Sequence, residues 1–324
     1  SAGAGKRRPT ASALRPAFLS PLAALVLLPS LALADPVQIP GTDGPLEAER
    51  IAVPGAAHAL VIIPGSGPTD RDGNSGPIRA ATYRRIAHDL ARNGIRSLRY
   101  DKRGVGASAR SVRSESELRF SHFVEDAEAC AAALQKRAKS KRVVLLGHSE
   151  GGMIAIRAAP KAEPAALVLL ATPGRPLHAV LRQQLLAAPL SSQQREEALA
   201  ILDRIVKGET VSNVPSYLQA LFRPSVQPYL HSLLPVDPAA DLAKLKTPVF
   251  LAQGDRDLQV TVADFNFLRA ARPDAKFVQL REANHVFKRA PENRRDNIKT
   301  YLDTAAPLDP ELMPPIVAFI RALK

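Results

Sequence analysis

A glycine-rich segment near the middle of the chain places a serine where it could act as a nucleophile. The apolar run Val143 to Leu146 leads directly into GHSEGG at 147–152, and a helical pattern follows. The pattern G-x-S-x-G between a strand and a helix is typical of a sharp turn that lifts a serine hydroxyl above a sheet. Its glycines permit the close packing that such a turn requires. We therefore predict that Ser149 is the nucleophile of an acyl-transfer reaction.

The same chemistry requires a base and a carboxylate elsewhere in the chain. A serine hydroxyl is a weak nucleophile at neutral pH, so a histidine must take its proton and an acid must orient that histidine. After this serine pattern, the acid and then the histidine follow in chain order. Asp255 and Asp257 follow one predicted strand, and His285 follows the next. We predict His285 as the base, and both aspartates remain open at this point as its partner.

Acyl transfer also needs backbone N–H groups that stabilise the negative charge on the substrate oxygen. One is expected from Glu150, the residue after the nucleophile, whose side chain we do not expect to be required. The other is expected from the loop PGSGP at 64–68, which follows a predicted buried strand. Within this loop Ser66 is the preferred donor, and Gly65 and Gly67 are the alternatives.

The elements that must position these residues alternate between strand and helix patterns. Alternation of this kind predicts an α/β fold with a mainly parallel sheet and helices on both faces. Ligands bind at the carboxyl ends of such strands, where Ser149 and His285 are both expected. The predicted strands are Glu47–Val53, Ala59–Ile63, Ile95–Tyr100, Val143–Leu146, Ala166–Leu170, Pro248–Ala252 and Lys276–Leu280; the predicted core helices are Thr82–Asn93, Phe120–Ala138, Gly152–Ala159, Val262–Ala271 and Met313–Leu323.

A helical segment without strand patterns interrupts this alternation. We predict one core, formed by residues 35–174 and 243–324, with a helical lid insertion at 175–242 that covers the nucleophile. The alternative is an insertion that packs away from the site. The predicted helices of the insertion are Leu177–Ala187, Ser191–Lys207 and Pro215–Leu234, and its candidate pocket residues, which could equally be packing residues, are Tyr217, Phe222, Tyr229 and Leu233.

The first 34 residues have the layout of a secretory signal peptide. An uncharged apolar stretch at 16–34 ends in the small-residue pattern Ala32-Leu33-Ala34, and Pro21 and Pro29 interrupt it, which disfavours a membrane anchor. We expect cleavage, a periplasmic or secreted mature protein and no membrane span after cleavage. The basic residues before this stretch are Lys6, Arg7, Arg8 and Arg15.

The net charge of +13 over 324 residues suggests an anionic partner, although four of these charges lie in the leader. The remaining Lys and Arg residues are dispersed, and no recognition motif accompanies them, so a nucleic-acid partner is not expected. The single cysteine excludes an intramolecular disulfide, and the seven histidines show no metal-binding spacing. We expect neither a metal nor an organic cofactor.

Five motifs are distributed over nearly all of the chain after the leader: GHSEGG, IIPGSGPTDRDG, RYDKRGVGAS, LAQGDRDLQV and ANHVF. Together they resemble those of the α/β-hydrolase superfamily, and specifically its bacterial carboxylesterase branch, whose members are often labelled serine aminopeptidase-like or lysophospholipase-like. In that branch the acid is the second aspartate of G-x-x-D-x-x-V, which implies Asp257 rather than Asp255. Many members have His-Gly before the oxyanion residue, where this chain has Pro64-Gly65.

The resemblance implies a serine esterase that hydrolyses small carboxylic esters through an acyl-enzyme. Ser149, Asp257 and His285 would carry the reaction without a cofactor, and the partner would be a small-molecule ester. An aminopeptidase or lysophospholipase with the same residues is the nearest alternative. A non-catalytic ligand-binding protein is the second alternative, and the complete set of three residues argues against it.

Overall fold

Within residues 2–3, 34–138 and 142–323, which the computed structural model describes, eight strands form one sheet. The strands are β1 (Ala34–Ile39), β2 (Leu46–Ile51), β3 (Ala59–Ile63), β4 (Arg96–Tyr100), β5 (Val143–His148), β6 (Ala166–Leu170), β7 (Val249–Gly254) and β8 (Lys276–Leu280). Their order in the sheet is β1-β2-β4-β3-β5-β6-β7-β8. The pairs β1–β2 and β2–β4 are antiparallel and the other pairs are parallel. The mainly parallel sheet predicted from the sequence is thus confirmed.

Helices cover both faces of this sheet, because successive residues of the buried strands point to opposite sides. The helices are α1 (Thr82–Arg92), α2 (Phe120–Ala138), α3 (Glu150–Ala162), α4 (Leu177–Ala187), α5 (Ser192–Val206), α6 (Gln219–Phe222), α7 (Gln227–Leu233), α8 (Pro238–Ala243), α9 (Val262–Ala271), α10 (Arg294–Lys299) and α11 (Met313–Arg321). Val61 and Ile63 pack on the face that carries α2, α3 and α9, whereas Leu60 and Ile62 pack on the face that carries α1 and α11.

The parallel register brings the functional loops to one edge of the sheet. Ile63 at the end of β3 is level with Gly147 of β5, and Gly254 at the end of β7 is level with Leu280 of β8. The loops that follow these strands therefore emerge side by side at the carboxyl edge, where α/β sheets bind ligands.

The segment between β6 and β7 is helical, as its pattern predicts, and its helices are α4 to α8. The single helix predicted over Pro215–Leu234 is wrong. The chain instead forms α6 and α7 with a 3-10 turn at Pro224–Val226 between them. Arg223 has the extended ψ of 147° that a following proline imposes, and this conformation ends α6.

The N-terminal part of the chain differs in one respect from the sequence analysis. Ala34, the last residue of the predicted signal peptide, is already the first residue of β1 and pairs with Ile51 of β2. Residues 4–33 of that predicted peptide lie outside the described residues. Among the helices that the structure describes, none is long and apolar enough to cross a membrane.

Candidate active site

Ser149 lies at the junction of β5 and α3 in a backbone conformation that few residues adopt. Its φ is 56° and its ψ is −125°, outside the regions that L-residues normally occupy. The packing around it excludes larger side chains: a methyl group at Gly147 would lie 2.2 Å from the carbonyl oxygen of Gly151. A methyl group at Gly151 would lie 2.3 Å from the carbonyl oxygen of Ile63. These glycines allow the sharp turn that presents the Ser149 side chain at the sheet edge.

The structure brings His285 and Asp257 together. Nδ1 of His285 lies 2.7 Å from Oδ2 of Asp257, and the Asp257 side chain is fully buried. The other oxygen, Oδ1, accepts hydrogen bonds from the N–H groups of Gln259 at 2.7 Å and Val260 at 3.0 Å. These backbone donors hold the carboxylate so that Oδ2 faces the imidazole. Nε2 of His285 is left as the nitrogen that can exchange a proton with a nucleophile.

Asp255, the other aspartate left open by the residue pattern, has a different environment. It is exposed, and its Oδ1 accepts a hydrogen bond from the N–H of Glu282 at 2.7 Å. This bond ties the loop after β7 to the loop after β8. The geometry therefore pairs His285 with Asp257, the residue that the family resemblance implies.

The ring of His148 joins the nucleophile turn to the loop that carries His285. Its Nε2 lies 2.8 Å from the carbonyl oxygen of His285, and its Nδ1 lies 2.8 Å from the hydroxyl of Tyr83. A carbonyl oxygen can only accept, so Nε2 carries the ring proton and Nδ1 accepts the proton of the Tyr83 hydroxyl. The same hydroxyl accepts a hydrogen bond from the N–H of Gly65 at 2.9 Å. Burial, followed by the proximity of His285, lowers the pKa of His148 to about 3. His148 is thus an uncharged residue that joins the His285 loop to Tyr83 by hydrogen bonds, a role that was not predicted from the sequence.

The predicted oxyanion loop at 64–68 lies against the nucleophile. A methyl group at Gly65 would lie 3.2 Å from Cβ of Ser149. The N–H of Gly65 is already bonded to Tyr83, so it is not available to a substrate. Ser66 is exposed at the edge of the site, and among the described residues its N–H has no hydrogen-bond partner. Ser66 therefore remains the predicted donor.

The Glu150 side chain, which we do not expect to be required for the reaction, is hydrogen-bonded within the site. It is 2% exposed, and its Oε2 accepts a hydrogen bond from the Ser66 hydroxyl at 2.9 Å. Its Oε1 lies 3.2 Å from Nζ of Lys102, which also donates to the carbonyl oxygen of Gly65 at 2.9 Å. Lys102 lies in the motif RYDKRGVGAS, but the sequence alone assigns it no role.

An ion pair between Arg71 and Asp101 joins two of the loops around the site. Arg71 contacts Asp101 through Nε at 3.1 Å and Nη2 at 2.8 Å, a two-pronged pairing that fixes both side chains. This pairing joins the oxyanion loop region to the loop after β4.

In the part of the chain that the structure describes, no group of three or more His, Cys, Asp or Glu side chains could hold a metal ion.

Comparison with known proteins shows which sequences this chain resembles. A family model described as serine aminopeptidase, S33, matches residues 79–220. Esterase EstD of Thermotoga maritima is 32% identical over 249 residues, which are 73% of this chain and 57% of that protein. The chain thus spans a little over half the length of this relative.

Solved structures show the same fold at lower sequence identity. The esterase Pf2001 of Pyrococcus furiosus has a TM-score of 0.54 and 19% identity, with 79% of this chain and 83% of that chain covered. The proline iminopeptidase of Mycobacterium smegmatis has a TM-score of 0.56 and 16% identity, with 89% and 98% covered. The chain has the α/β-hydrolase fold, and its sequence is similar to the serine aminopeptidase, S33, family model and to esterase EstD.

Proposed function

We propose that this protein is a serine carboxylesterase that hydrolyses small carboxylic esters through an acyl-enzyme. The observation that carries the proposal is the buried Asp257–His285 pair, at 2.7 Å, whose histidine lies on the loop that is bonded to His148 beside Ser149. The sequence similarity to esterase EstD supports an ester substrate.

In the proposed reaction the hydroxyl oxygen of Ser149 attacks the ester carbonyl carbon while Nε2 of His285 takes the hydroxyl proton. The N–H groups of Ser66 and Glu150 stabilise the negative charge that develops on the carbonyl oxygen. Asp257 holds the imidazole and stabilises its protonated form. His285 then protonates the departing alcohol, and a water molecule repeats the sequence to release the carboxylic acid and restore Ser149.

An aminopeptidase is the alternative that the description of the matching family model favours. Such an enzyme would need a negative charge beside the site to bind the free ammonium group of its substrate. The carboxylate that follows the nucleophile, Glu150, is already paired with Lys102 and bonded to Ser66. This neutralised arrangement favours an uncharged acyl group over an ammonium group, and so favours esters.

We also propose that residues 175–242 act as a lid. Nε2 of Gln184 in α4 donates to the carbonyl oxygen of Gln259, beside the catalytic acid, at 2.9 Å. The hydroxyl of Tyr229 in α7 is buried, and burial followed by the charge of Glu150 raises its pKa well above the usual range. The insertion therefore has contacts near both the acid loop and the oxyanion residues, as a cap that shapes a pocket would have.

We further propose that the leader at 1–34 is removed and that the mature protein is periplasmic or secreted. The basic residues followed by an uncharged apolar stretch support this. N-terminal sequencing of the protein from the periplasm or the medium of an expressing bacterium should begin at Asp35. Recovery of the chain from the cytoplasm alone, with the leader intact, would contradict the proposal.

The substrate class is tested with two matched panels, nitrophenyl esters of increasing acyl length and nitroanilides of single amino acids. We expect turnover of short esters, much weaker turnover of the longest esters and little turnover of the amides. The Ser149→Ala variant, measured in parallel, should lose ester turnover. Preference for the amino-acid amides would replace the esterase proposal with the aminopeptidase alternative, and preference for the longest acyl chains would favour a lysophospholipase.

A further inference from the structure

We propose that Lys102 is a positioning residue that sets the direction of the oxyanion-stabilising N–H of Ser66, acting together with the side chain of Glu150. This inference rests on the proposed esterase function and concerns how the same site stabilises its transition state. We refer to the contacts among Lys102, Glu150 and Ser66 as the oxyanion clamp.

The first element of the oxyanion clamp is a hydrogen bond to a peptide carbonyl. The carbonyl of Gly65 and the N–H of Ser66 belong to one planar trans peptide, so they point in opposite directions. Nζ of Lys102 donates to the Gly65 oxygen at 2.9 Å from inside the protein. The N–H of Ser66 must then point away from Lys102. The N–H of Gly65 is held separately by the Tyr83 hydroxyl at 2.9 Å, which limits rotation of the preceding peptide.

The second element joins the two residues that carry the predicted donors. The hydroxyl of Ser66 donates to Oε2 of Glu150 at 2.9 Å, and Oε1 of Glu150 lies 3.2 Å from Nζ of Lys102. The two backbone N–H groups that would bind the oxyanion thus belong to residues whose side chains are bonded to each other. Preorganised donors of this kind do not have to reorient as the negative charge develops.

The third element is the charge of the buried pair. The side chains of Lys102 and Glu150 are 5% and 2% exposed. A buried ion pair of this kind is weak evidence for stabilisation of the fold, because both ions lose their hydration. An unpaired carboxylate at Glu150 would also repel the negative charge of the transition state. Lys102 offsets that repulsion, and the face of the Phe123 ring, 4.6 Å away, gives its ammonium a further contact.

The test compares Lys102→Met with a matched control in the same loop, Arg103→Met. Arg103 pairs with Asp126, and both side chains are 1% exposed. Within the described residues, the hydrogen bonds of the Arg103 side chain go to Asp43, Thr42, His122 and Asp126, none of which lies in the oxyanion loop. For Lys102→Met we expect kcat to fall roughly 10- to 100-fold with KM changed less than about threefold, because misdirected donors affect the transition state more than the bound substrate. Arg103→Met should lose stability but keep kcat.

A double variant keeps the test informative if Lys102→Met does not fold. Lys102→Met combined with Glu150→Leu replaces the buried ions by apolar side chains, a change that proteins often tolerate. We expect the folded double variant to react with a fluorophosphonate at Ser149 roughly 10- to 100-fold more slowly than the wild type. A wild-type labelling rate and kcat in the double variant would overturn the oxyanion clamp. Absence of labelling in the wild type would instead contradict the esterase function, and the oxyanion clamp with it.

Discussion

Nε2 of His148 lies 2.8 Å from the backbone carbonyl oxygen of His285, so the residue before the nucleophile supports the loop that carries the base. The same imidazole accepts a hydrogen bond from Tyr83, which in turn receives the N–H of Gly65. One neutral ring therefore connects the oxyanion loop, the nucleophile turn and the histidine loop. A protonated His148 could not accept the hydrogen bond from Tyr83, because both ring nitrogens would be donors.

The first prediction concerns stability at low pH. His148 has a folded-state pKa of about 3, below its unfolded value of 6.5. Between these values the unfolded chain binds a proton that the folded chain does not, so the free energy of unfolding falls as the pH is lowered through this window. At about pH 4.5, the contribution of His148 should make the free energy of unfolding about 2–3 kcal/mol lower than at neutral pH.

Urea denaturation of the wild type and of His148→Gln at about pH 7.5 and about pH 4.5 measures this effect. The variant is expected to have a lower free energy of unfolding than the wild type at the higher pH, because it loses hydrogen bonds. Its free energy of unfolding should, however, decrease less than that of the wild type when the pH is lowered. Equal declines in the two proteins would mean that His148 does not cause the acid sensitivity.

The second prediction separates the two aspartates. Asp257→Asn should lower kcat by roughly ten-thousandfold, because an amide favours the wrong imidazole tautomer. Asp255→Asn should have a much smaller effect, since Asp255 is exposed and bonds to the N–H of Glu282 rather than to His285. Steady-state ester kinetics on both variants provide the comparison, and the opposite ranking would show that Asp255 is the catalytic acid.

The third prediction concerns the shape of the acyl pocket. Tyr229→Ala should open space near Glu150 and shift the ester preference toward longer acyl chains, because the Tyr229 hydroxyl is buried beside that carboxylate. Tyr217→Ala is the control on the same insertion, since Tyr217 is exposed and its hydroxyl donates to Gln194 and Glu197 of α5. Values of kcat/KM across a nitrophenyl ester series test this. An unchanged profile for Tyr229→Ala would remove the main support for the lid.

The fourth prediction concerns Phe222, which the sequence suggested as a possible pocket residue. It is 0% exposed and packs in the hydrophobic core that the insertion shares with α2 and α3. Phe222→Ala should therefore lower the free energy of unfolding by about 3–5 kcal/mol. Chemical denaturation should show a far larger loss than for Tyr217→Ala, and a loss no larger than that of Tyr217→Ala would place Phe222 outside the core.

The sequence predicts those parts of the fold that local patterns determine. The apolar run ALVII gives β3 with its observed bounds, and the pattern of α2 does likewise. The break between α6 and α7 was not predicted, because the helical spacing of apolar residues continues across Pro224. The proline itself could have indicated the break. β1 was missed because Ala34 and the residues after it adjoin a leader whose pattern dominates the N-terminus.

The sequence predicts some residues of the candidate site but not the contacts that support them. Ser149 and His285 could be selected because each follows a recognisable strand, and the family resemblance selected Asp257. The contacts of Lys102 and Tyr83 could not be read from one sequence, because they join residues that are far apart in the chain: 37 positions separate Lys102 from Gly65, and 65 separate Tyr83 from His148. Such contacts depend on how the loops at the sheet edge pack together.

The central claim, that Ser149 is an activated nucleophile, is tested most directly by reaction with a fluorophosphonate followed by mass spectrometry of the tryptic peptides. We expect a single adduct on the peptide 143–157, located at Ser149, and no adduct in the Ser149→Ala variant. An adduct at a different serine, or an unreactive wild-type protein that is correctly folded, would contradict it.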